Sequence, residues 1–496
     1  MTTTIPAALR EAARRDPAAP AYVEATPQGD AVLSFGALLE RVRATAAHLV
    51  DRGVGAGDRV AIWAPNSTDW AVTALAVTYA SGVLVPLNSR YTAHEVAEVL
   101  TRTDAALAVV ADGFLGRTQL SDLAATGVTT PVLDLADLPA LAEATTPAQR
   151  AAADARADAV GPDDVADILF TSGTTGRSKG AMSAHRQSLG VAAAWAGLGG
   201  VQPEDRYLVV NPFFHSFGYK IGILVGLLAG CALYPVATFD VAATLRLIES
   251  ARITVLPGAP TIYQSLLTAP GRAEADLSSL RLAVTGAAVV PVVLIERMRA
   301  ELGIEQVVTA FGMTEAVVVT MCRAGDSAET VATTNGRAIP GMEVRIAEDT
   351  GELLVRGEFV MLGYLDDPEA TAAAIDVDGW LHTGDVGVLD EAGNLRITDR
   401  LKDMYISGGF NVYPAEVEQE LLRLPGVDDV AVVGVPDERL GEVGKAFVVG
   451  TASAEQVVAH ARERLANFKV PREVVHVDVL PRNLSGKVLK NELRGH

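Results

Sequence analysis

The amino-acid sequence predicts an α/β protein in which a large N-terminal domain of layered βαβ subdomains ends in a β-rich subdomain, followed by a small α+β C-terminal domain. Two observations carry this prediction. Over most of the first 400 residues, short runs of β-branched residues alternate with alanine-rich helical patterns, and from Gly351 the pattern changes to closely spaced strands and turns. We expect domains spanning 1–400 and 401–496, joined by a short connection near 400–403.

The first elements follow in order. Met1 to Ala19 places arginines and acids among alanines, which predicts an amphipathic helix rather than a secretion signal, so we expect a cytoplasmic protein. Next come the strand DRVAIWAP, a helix from Trp70 to Tyr79, the strand GVLVPLN, a helix from Thr92 and the strand AALAVVAD. This rhythm is typical of buried parallel strands with crossover helices. The segment from Ala144 to Asp164 is interpreted as a solvated surface segment.

The most apolar stretch lies between Lys220 and Asp240. Its length approaches the roughly 20 residues of a membrane span, but glycines and Pro235 interrupt it and no basic flank marks an inside loop. We therefore expect a buried helix followed by a strand. Further on, the strands RITVLPGAP and LRLAVTGAA each run into a glycine or proline turn.

The C-terminal segment has a pattern of its own. We predict a helix from Pro414 to about Leu424, strands at VDDVAVVGVPD, KAFVVGT and VVHVDVLP, and a helix from Ala454 to about Leu465.

Composition excludes several classes of protein. The chain has 496 residues, of which 49% are hydrophobic and 21% charged, and its 41 basic and 61 acidic residues give 41 − 61 = −20. Such a negative surface repels nucleic acids and anionic membranes. Cys231 and Cys322 alone cannot build a disulfide framework or a thiolate metal site, so a metal ion would be held by oxygen. Homo-oligomer formation stays open.

The segment from Leu169 to Gly180, LFTSGTTGRSKG, carries the sharpest chemical signal. An apolar strand ends in small and hydroxylated residues whose backbone N–H groups and side chains can surround phosphate oxygens, while a lysine offsets their charge. A flexible polar turn is the alternative. The phosphate-binding candidates are Thr171, Ser172, Gly173, Thr174, Thr175, Gly176 and Lys179. The spacing differs from GxxxxGK[ST], so another nucleotide-binding architecture is expected.

This loop resembles the signature of the adenylate-forming superfamily of acyl-CoA synthetases, nonribosomal-peptide adenylation domains and firefly luciferase, and the resemblance extends over essentially the whole chain. It implies ATP and Mg²⁺ as cofactors. In the segment Phe311, Gly312, Met313, Thr314 and Glu315, it implies that the aromatic ring lines the adenine pocket, Thr314 contacts phosphate and Glu315 binds Mg²⁺. Gly286, Ala287 and Ala288 match the segment against which adenine lies, although the same small residues are also typical of a simple turn at the end of a strand.

The same resemblance assigns roles near and beyond the domain connection. Asp385 is similar to the carboxylate that accepts the ribose hydroxyls, and Arg400 to its ribose and phosphate partner. Lys402 falls at the hinge about which the small domain rotates, and Lys487 matches the mobile lysine of the adenylation step. Gly408 and Gly409 would then let the pantetheine arm of CoA pass. An ordinary turn is the alternative for both glycines. They permit thioester formation without requiring it, and CoA is the expected co-substrate.

The acid substrate is less well defined. His215 resembles the gate between the ATP site and the acyl pocket, with Tyr219 and Lys220 beside it. Over most of its length the chain is similar to bacterial CoA ligases that activate the propanoate side chain of the indane remnant in sterol-ring degradation. A ligase for a cyclic or aromatic carboxylic acid is therefore the main prediction.

One segment departs from that subfamily. Glu315 is followed by Ala316, Val317 and Val318 where relatives carry small or flexible residues, so the pocket floor is expected to be reshaped and smaller, with neutral repacking as the alternative. A changed pocket favours a second hypothesis, an ATP-dependent diazotase that adenylates nitrite and diazotises an aromatic amine without CoA. A nucleotide-binding protein without catalysis is a third, which the presence of Lys402 and Lys487 disfavours.

Overall fold

The computed structural model describes residues 3–26, 29–172, 178–286, 292–400, 405–412, 414–481, 488 and 490–494. Its strands are β1 (Pro20–Thr26), β2 (Gly29–Ser34), β3 (Arg59–Trp63), β4 (Val83–Pro86), β5 (Leu107–Val110), β6 (Val132–Asp134), β7 (Val165–Ser172), β8 (Ser178–Ala184), β9 (Arg206–Val209), β10 (Ala232–Pro235), β11 (Val255–Pro257), β12 (Leu282–Gly286), β13 (Gln306–Met313), β14 (Ala316–Met321), β15 (Arg337–Ala338), β16 (Met342–Ile346), β17 (Glu352–Gly357), β18 (Gly363–Tyr364), β19 (Leu381–Leu389), β20 (Leu395–Arg400), β21 (Tyr405–Ser407), β22 (Phe410–Val412), β23 (Val427–Asp437), β24 (Gly441–Gly450) and β25 (Glu473–His476).

The α-helices are α1 (Ile5–Arg15), α2 (Phe35–Asp51), α3 (Thr68–Tyr79), α4 (Ala93–Arg102), α5 (Gln119–Ala125), α6 (Leu138–Glu143), α7 (Pro147–Ala159), α8 (His185–Gly199), α9 (Ser216–Gly218), α10 (Val225–Ala229), α11 (Val241–Ala251), α12 (Pro260–Thr268), α13 (Val292–Glu301), α14 (Ala328–Thr333), α15 (Pro368–Ala374), α16 (Pro414–Leu421), α17 (Ala454–Arg464) and α18 (Lys490–Leu493). A single π-helical stretch, Tyr219–Leu224, joins α9 to α10.

Two large sheets form the body of the protein. One has the order β18-β8-β7-β4-β3-β5-β6, with parallel pairing from β7 to β6. The other has the order β15-β14-β13-β12-β11-β9-β10-β1-β2. Strands β3, β4 and β5 are almost wholly buried, which explains their continuous apolar sequences. The predicted α/β fold is confirmed.

A third and a fourth sheet complete the architecture. The third contains β16-β17-β19-β20 and forms the expected β-rich subdomain. The fourth contains β22-β21-β24-β23 with β25 beside β24, and its described residues carry two apolar cores of their own. We call the described residues from 405 onward the C-terminal lobe and those up to 400 the N-terminal lobe.

Two local expectations were tested by packing. The segment from Ala144 to Asp164, expected to be solvated surface, is mostly exposed, but it contains the helix α7, whose Ala153 and Ala157 are buried. The carboxylate of Asp154 accepts a hydrogen bond from Tyr79 Oη at 2.7 Å, which fixes the helix on the body. The apolar stretch after Lys220 is a buried π-helix and helix followed by β10, as expected. Within the part of the chain that the structure describes, no helix combines the length and apolarity needed to cross a membrane.

Candidate active site

A cavity of about 1880 Å³ lies where the carboxyl ends of strands from both large sheets converge with the C-terminal lobe. Its lining includes Pro86 at the end of β4, Thr171 in β7, Gly258 after β11 and Thr285 in β12. Open α/β sheets commonly bind ligands at these strand ends, where the side chains of neighbouring strands meet. The cavity is therefore the candidate site for a nucleotide and an acid.

The predicted phosphate loop lies between β7 and β8, which pair antiparallel. Thr171 and Lys179 both line the cavity. The Lys179 ammonium lies 4.9 Å from the centre of the Tyr364 ring, a cation–π contact that holds a positive charge at the cavity wall. Gly173, Thr174, Thr175 and Gly176 lie outside the described residues, as does the side chain of Ser172.

The Phe311–Glu315 segment comprises the end of β13 and the two residues that connect it to β14, and all five of its residues line the cavity. Gly312 is required by packing, because a Cβ atom at this position would lie 2.0 Å from the carbonyl oxygen of Val317 in the partner strand. The segment therefore follows β14 closely and presents its next residues, Thr314 and Glu315, to the cavity.

Glu315 is held by a residue that the sequence analysis did not single out. Tyr364 Oη donates a hydrogen bond to Glu315 Oε1 at 2.7 Å, and the backbone N–H of Met361 donates to the Glu315 carbonyl at 2.8 Å. The Glu315 side chain is mostly buried and lines the cavity. Among the described residues there is no cluster of three metal-binding side chains. A single carboxylate still fits Mg²⁺, which commonly takes one or two protein carboxylates together with phosphates and water.

Asp385 lies in β19, is largely buried and lines the cavity. Its backbone N–H donates to Thr383 Oγ1 at 3.1 Å, and its register partner in β20 is Arg400. The side chain of Arg400 lies outside the description. The backbone pairing thus brings the two predicted ribose-binding residues to one position in the third sheet.

His215 lines the cavity, and its side chain is open to this space. Its Nδ1 accepts the backbone N–H of Phe217 at 3.2 Å, so the neutral ring keeps its proton on Nε2. Desolvation by the protein groups around the ring lowers the pKa of His215 to about 4. A neutral imidazole N–H donor therefore faces the cavity at physiological pH.

Tyr219 and Lys220 do not line this cavity, contrary to the expectation from sequence. The π-helix turns both side chains into the protein, where each is almost completely buried. Lys220 Nζ lies 3.0 Å from Asp167 Oδ1 and donates to Ser183 Oγ at 2.8 Å. The placement of Lys220 in the acid pocket is wrong, because its charge is neutralised inside the core.

The valine segment after Glu315 lies in β14. Val317 and Val318 line the cavity, whereas Ala316, also predicted to do so, is fully buried and does not. Two β-branched side chains therefore form part of the wall beside Glu315.

The C-terminal lobe closes one side of the cavity. Gly408 and Gly409 form the turn between β21 and β22 with φ of 58° and 83°, a backbone conformation that favours glycine. Both line the cavity, and Gly408 N–H donates to the Leu440 carbonyl at 2.8 Å. Lys487, Lys402, Ala287 and Ala288 lie outside the described residues, while Gly286 is described as the end of β12.

Further residues that line the cavity were not predicted from the sequence. Asn66 shapes the loop before His215, since its Oδ1 accepts the Phe213 N–H at 2.7 Å and its Nδ2 donates to the Asn211 carbonyl at 2.9 Å. Lys469 lines the cavity from the C-terminal lobe. Neither residue belongs to a motif with chemical meaning of its own. Polar residues beside strand ends are the signal that points to Asn66.

Comparison with known proteins agrees with this arrangement. The AMP-binding enzyme family matches residues 9–365, and the family described as AMP-binding enzyme C-terminal domain matches residues 416–487. The chain is 57% identical to the 3-[(3aS,4S,7aS)-7a-methyl-1,5-dioxo-octahydro-1H-inden-4-yl]propanoyl:CoA ligase of Rhodococcus jostii, with 99% of this chain and 98% of that protein covered.

Two solved structures are similar over almost the whole chain. The o-succinylbenzoate CoA synthetase of Bacillus subtilis, a double mutant bound with its product analogue, is 28% identical with a TM-score of 0.87, covering 99% of this chain and 98% of that one. ATP-bound MatB from Rhodopseudomonas palustris is 33% identical with a TM-score of 0.70, covering 100% and 99%. Because the AMP-binding enzyme family matches most of the chain and the family of its C-terminal domain matches the C-terminal lobe, this protein belongs to the AMP-binding enzymes.

Proposed function

We propose that this protein is an ATP- and Mg²⁺-dependent acid:CoA ligase that joins a ring-bearing carboxylic acid to AMP and then transfers the acyl group to CoA. The observation that carries the proposal is one cavity lined both by Phe311–Glu315 and Asp385 of the N-terminal lobe and by the Gly408–Gly409 turn of the C-terminal lobe. A reaction in two steps on one acyl group needs both sets of residues around the same space.

In the first step a carboxylate oxygen of the acid attacks the α-phosphorus of ATP, and the bond to the β-phosphate oxygen breaks with release of pyrophosphate. Both reactants are anions, so the site has to offset charge while it holds them in line. Phosphate oxygens would be bound by Lys179 and by residues 171–176, Phe311 would cover adenine and Asp385 would accept the ribose hydroxyls. Lys487 would reach the reacting oxygens.

Glu315 would hold Mg²⁺, and the bound ion would offset negative charge on the phosphates. The Tyr364 hydroxyl fixes one carboxylate oxygen at 2.7 Å and so orients the other. His215 stays uncharged because desolvation by the surrounding groups lowers its pKa to about 4. It would contribute a neutral N–H donor to the acid rather than another cation.

In the second step the CoA thiolate attacks the acyl carbon and AMP leaves with the bonding electrons. The glycines at 408 and 409 carry no side chains, so a pantetheine arm could pass along this turn. The TM-score to the CoA synthetase bound with a product analogue (0.87) is higher than that to ATP-bound MatB (0.70), although the sequence identity to the CoA synthetase is lower. This supports an arrangement of the lobes suited to transfer.

The acid is proposed to carry a ring with neutral polar groups, like the dioxo-indane acid named for the Rhodococcus relative. Among the described residues from 210 to 292, those that line the cavity carry no formal charge when His215 is neutral. They mix apolar and aromatic side chains with hydroxyl and amide groups, which suits carbonyls on an apolar ring.

The test is release of AMP and pyrophosphate by the purified protein with Mg-ATP. The acids are a dioxo-indane propanoate and a panel of aromatic and linear acids, each with and without CoA. We expect CoA-dependent turnover that is highest with the ring acids. Turnover that requires nitrite and an aromatic amine but not CoA would replace this proposal by the diazotase hypothesis.

A variant connects the activity to the expected machinery. Lys487→Ala should abolish formation of the adenylate and still bind ATP, because the lysine acts on the reacting oxygens. Lys490→Ala, three residues later, is the matched control: its Nζ lies 2.7 Å from Glu418 Oε1, so it is engaged in the C-terminal lobe. Unchanged adenylation in Lys487→Ala would contradict the assignment.

A further inference from the structure

A buried ammonium group joins the two lobes. Lys469 of the C-terminal lobe is 4% exposed, and its Nζ lies 2.9 Å from Glu95 Oε1 and 2.6 Å from Glu416 Oε1. Glu416 is in α16 of the same lobe, whereas Glu95 is in the first turn of α4 in the N-terminal lobe. The contact to Glu95 therefore exists only while the lobes are in this arrangement.

The residues just before Glu95 make further contacts across the same boundary. The Tyr91 ring centre lies 4.5 Å from Lys469 Nζ, and Thr92 Oγ1 donates to the Arg464 carbonyl at 3.2 Å. We call residues 90–95 the docking segment. A further contact between the lobes places the Arg90 guanidinium 5.5 Å from the centre of the Phe410 ring. This ring stacks on the ring of Phe468, with 4.6 Å between the ring centres.

Glu95 is rigid because it also caps its own helix. Its Oε2 accepts the Thr92 N–H at 2.8 Å and its own N–H donates to Thr92 Oγ1 at 3.4 Å, while Oε1 accepts from Lys469. This capping box fixes the carboxylate before the lobes meet. The C-terminal lobe thus docks on an acceptor whose position is already set.

The charges make this contact sensitive to separation of the lobes. Burial alone would lower the pKa of Lys469, but Glu416 and Glu95 outweigh it and the pKa stands well above the ordinary lysine value. Burial raises the pKa of Glu416. Removing one member of a buried ionic cluster leaves the others without full compensation, so the arrangement depends on every member.

We propose that Lys469 is a positioning residue for acyl transfer: by binding Glu95 it holds the C-terminal lobe so that the Gly408–Gly409 turn lies over the cavity. Phe410, which pairs with Ser407 across this turn, lies at the docked surface, since it contacts Arg90 and Phe468. The inference rests on the proposed function, because it assigns the contact to one of its two steps.

The test separates the two steps in Glu95→Gln. Glutamine keeps an oxygen for the capping box but removes the negative charge that faces Lys469. We expect adenylation, measured as acid-dependent pyrophosphate exchange into ATP, to stay close to wild type. Transfer, measured as thioester formation from preformed adenylate in a single turnover, should fall about tenfold. Lys469→Met should act in the same direction.

Glu98→Gln is the matched control. It removes the same charge from the same helix, but the Glu98 side chain is 57% exposed and pairs with Arg102 at 3.9 Å. Both steps should stay at the wild-type level. Equal loss of both steps in Glu95→Gln, or loss of neither, would overturn the proposal.

A distance measurement makes the result independent of the acid. Spin labels at Thr101→Cys in the N-terminal lobe and Glu463→Cys in the C-terminal lobe report the separation of the lobes, and the native Cys231 and Cys322 are buried. Thr101 and Glu463 are both exposed. We expect one narrow distance distribution with native Glu95 and a broader, longer one with Glu95→Gln. Identical distributions would overturn the proposal, whereas a wild type that fails to form thioester would count against the proposed function alone.

Discussion

Replacing Lys220 by methionine should destabilise the protein without changing recognition of the acid. Lys220 and Asp167 are 1% and 0% exposed, with 3.0 Å between Lys220 Nζ and Asp167 Oδ1. Lys220→Met leaves the Asp167 carboxylate in the core with the Ser188 hydroxyl as donor at 2.8 Å. Breaking a buried ion pair by removing one partner costs about 3–5 kcal/mol, and we expect the free energy of unfolding to fall by this amount.

The assay combines thermal unfolding with steady-state kinetics on the folded fraction. Lys220→Met should lower the unfolding temperature clearly and leave the KM for the acid unchanged. The double variant Asp167→Asn, Lys220→Met should recover most of the lost stability, because no uncompensated charge remains in the core. A large rise in the KM for the acid with unchanged stability would refute the reasoning and return Lys220 to the acid pocket.

Three further predictions concern the cavity wall and the core. Tyr364→Phe should keep the ring beside Lys179 but remove the donor to Glu315, and pyrophosphate release at limiting Mg²⁺ should fall roughly tenfold, since a hydrogen bond to a charged group contributes about 1.5–3 kcal/mol; an unchanged Mg²⁺ requirement would contradict this. Val317→Ala should enlarge the pocket and raise the kcat/KM ratio of a bulkier over a smaller acid roughly tenfold in a competition assay; an unchanged ratio would place the acid elsewhere. Burial lowers the pKa of His185 to about 4, so the unfolded chain binds a proton near pH 6.5 that the folded chain does not. Stability should therefore fall as the pH drops from about 6.5 to 4, and thermal unfolding of His185→Gln should show a shallower fall than wild type.

Much of the fold was predictable because strands that are buried on both faces consist almost entirely of apolar residues. Strands β3, β4 and β5 read as continuous apolar runs, and the helices between them begin at good N-caps such as Ser67 and Thr92. The helix α7 was not predicted from the sequence, and this has a physical cause. Its buried face consists of alanines, whose small side chains contrast little with the charged residues around them.

The candidate site was predictable where its chemistry lies in contiguous motifs. Thr171, Lys179, Phe311–Glu315 and Asp385 come to one cavity as expected, although their roles stay predictions. The direction of a side chain within a helix was not predictable. Lys220 follows the His215 loop closely in sequence, but the π-helical turn carries it to Asp167.

Contacts between residues that are distant in sequence could not be predicted from sequence patterns. Tyr364 meets Glu315 across 49 residues, and Lys469 meets Glu95 across 374. Each residue type is common on protein surfaces, so no local pattern marks these contacts. Their importance becomes visible only from the geometry.

If Glu315 holds Mg²⁺ as proposed, its surroundings tie catalysis to completion of folding. Glu315 follows β13 of the nine-stranded sheet, whereas its hydroxyl donor Tyr364 is in β18, which pairs with β8 of the seven-stranded sheet. A chain that has assembled one sheet without the other would lack an oriented Glu315 carboxylate. Newly made or damaged copies would then be unable to generate a reactive mixed anhydride, and neighbouring nucleophiles in the cell would be spared from acylation by it.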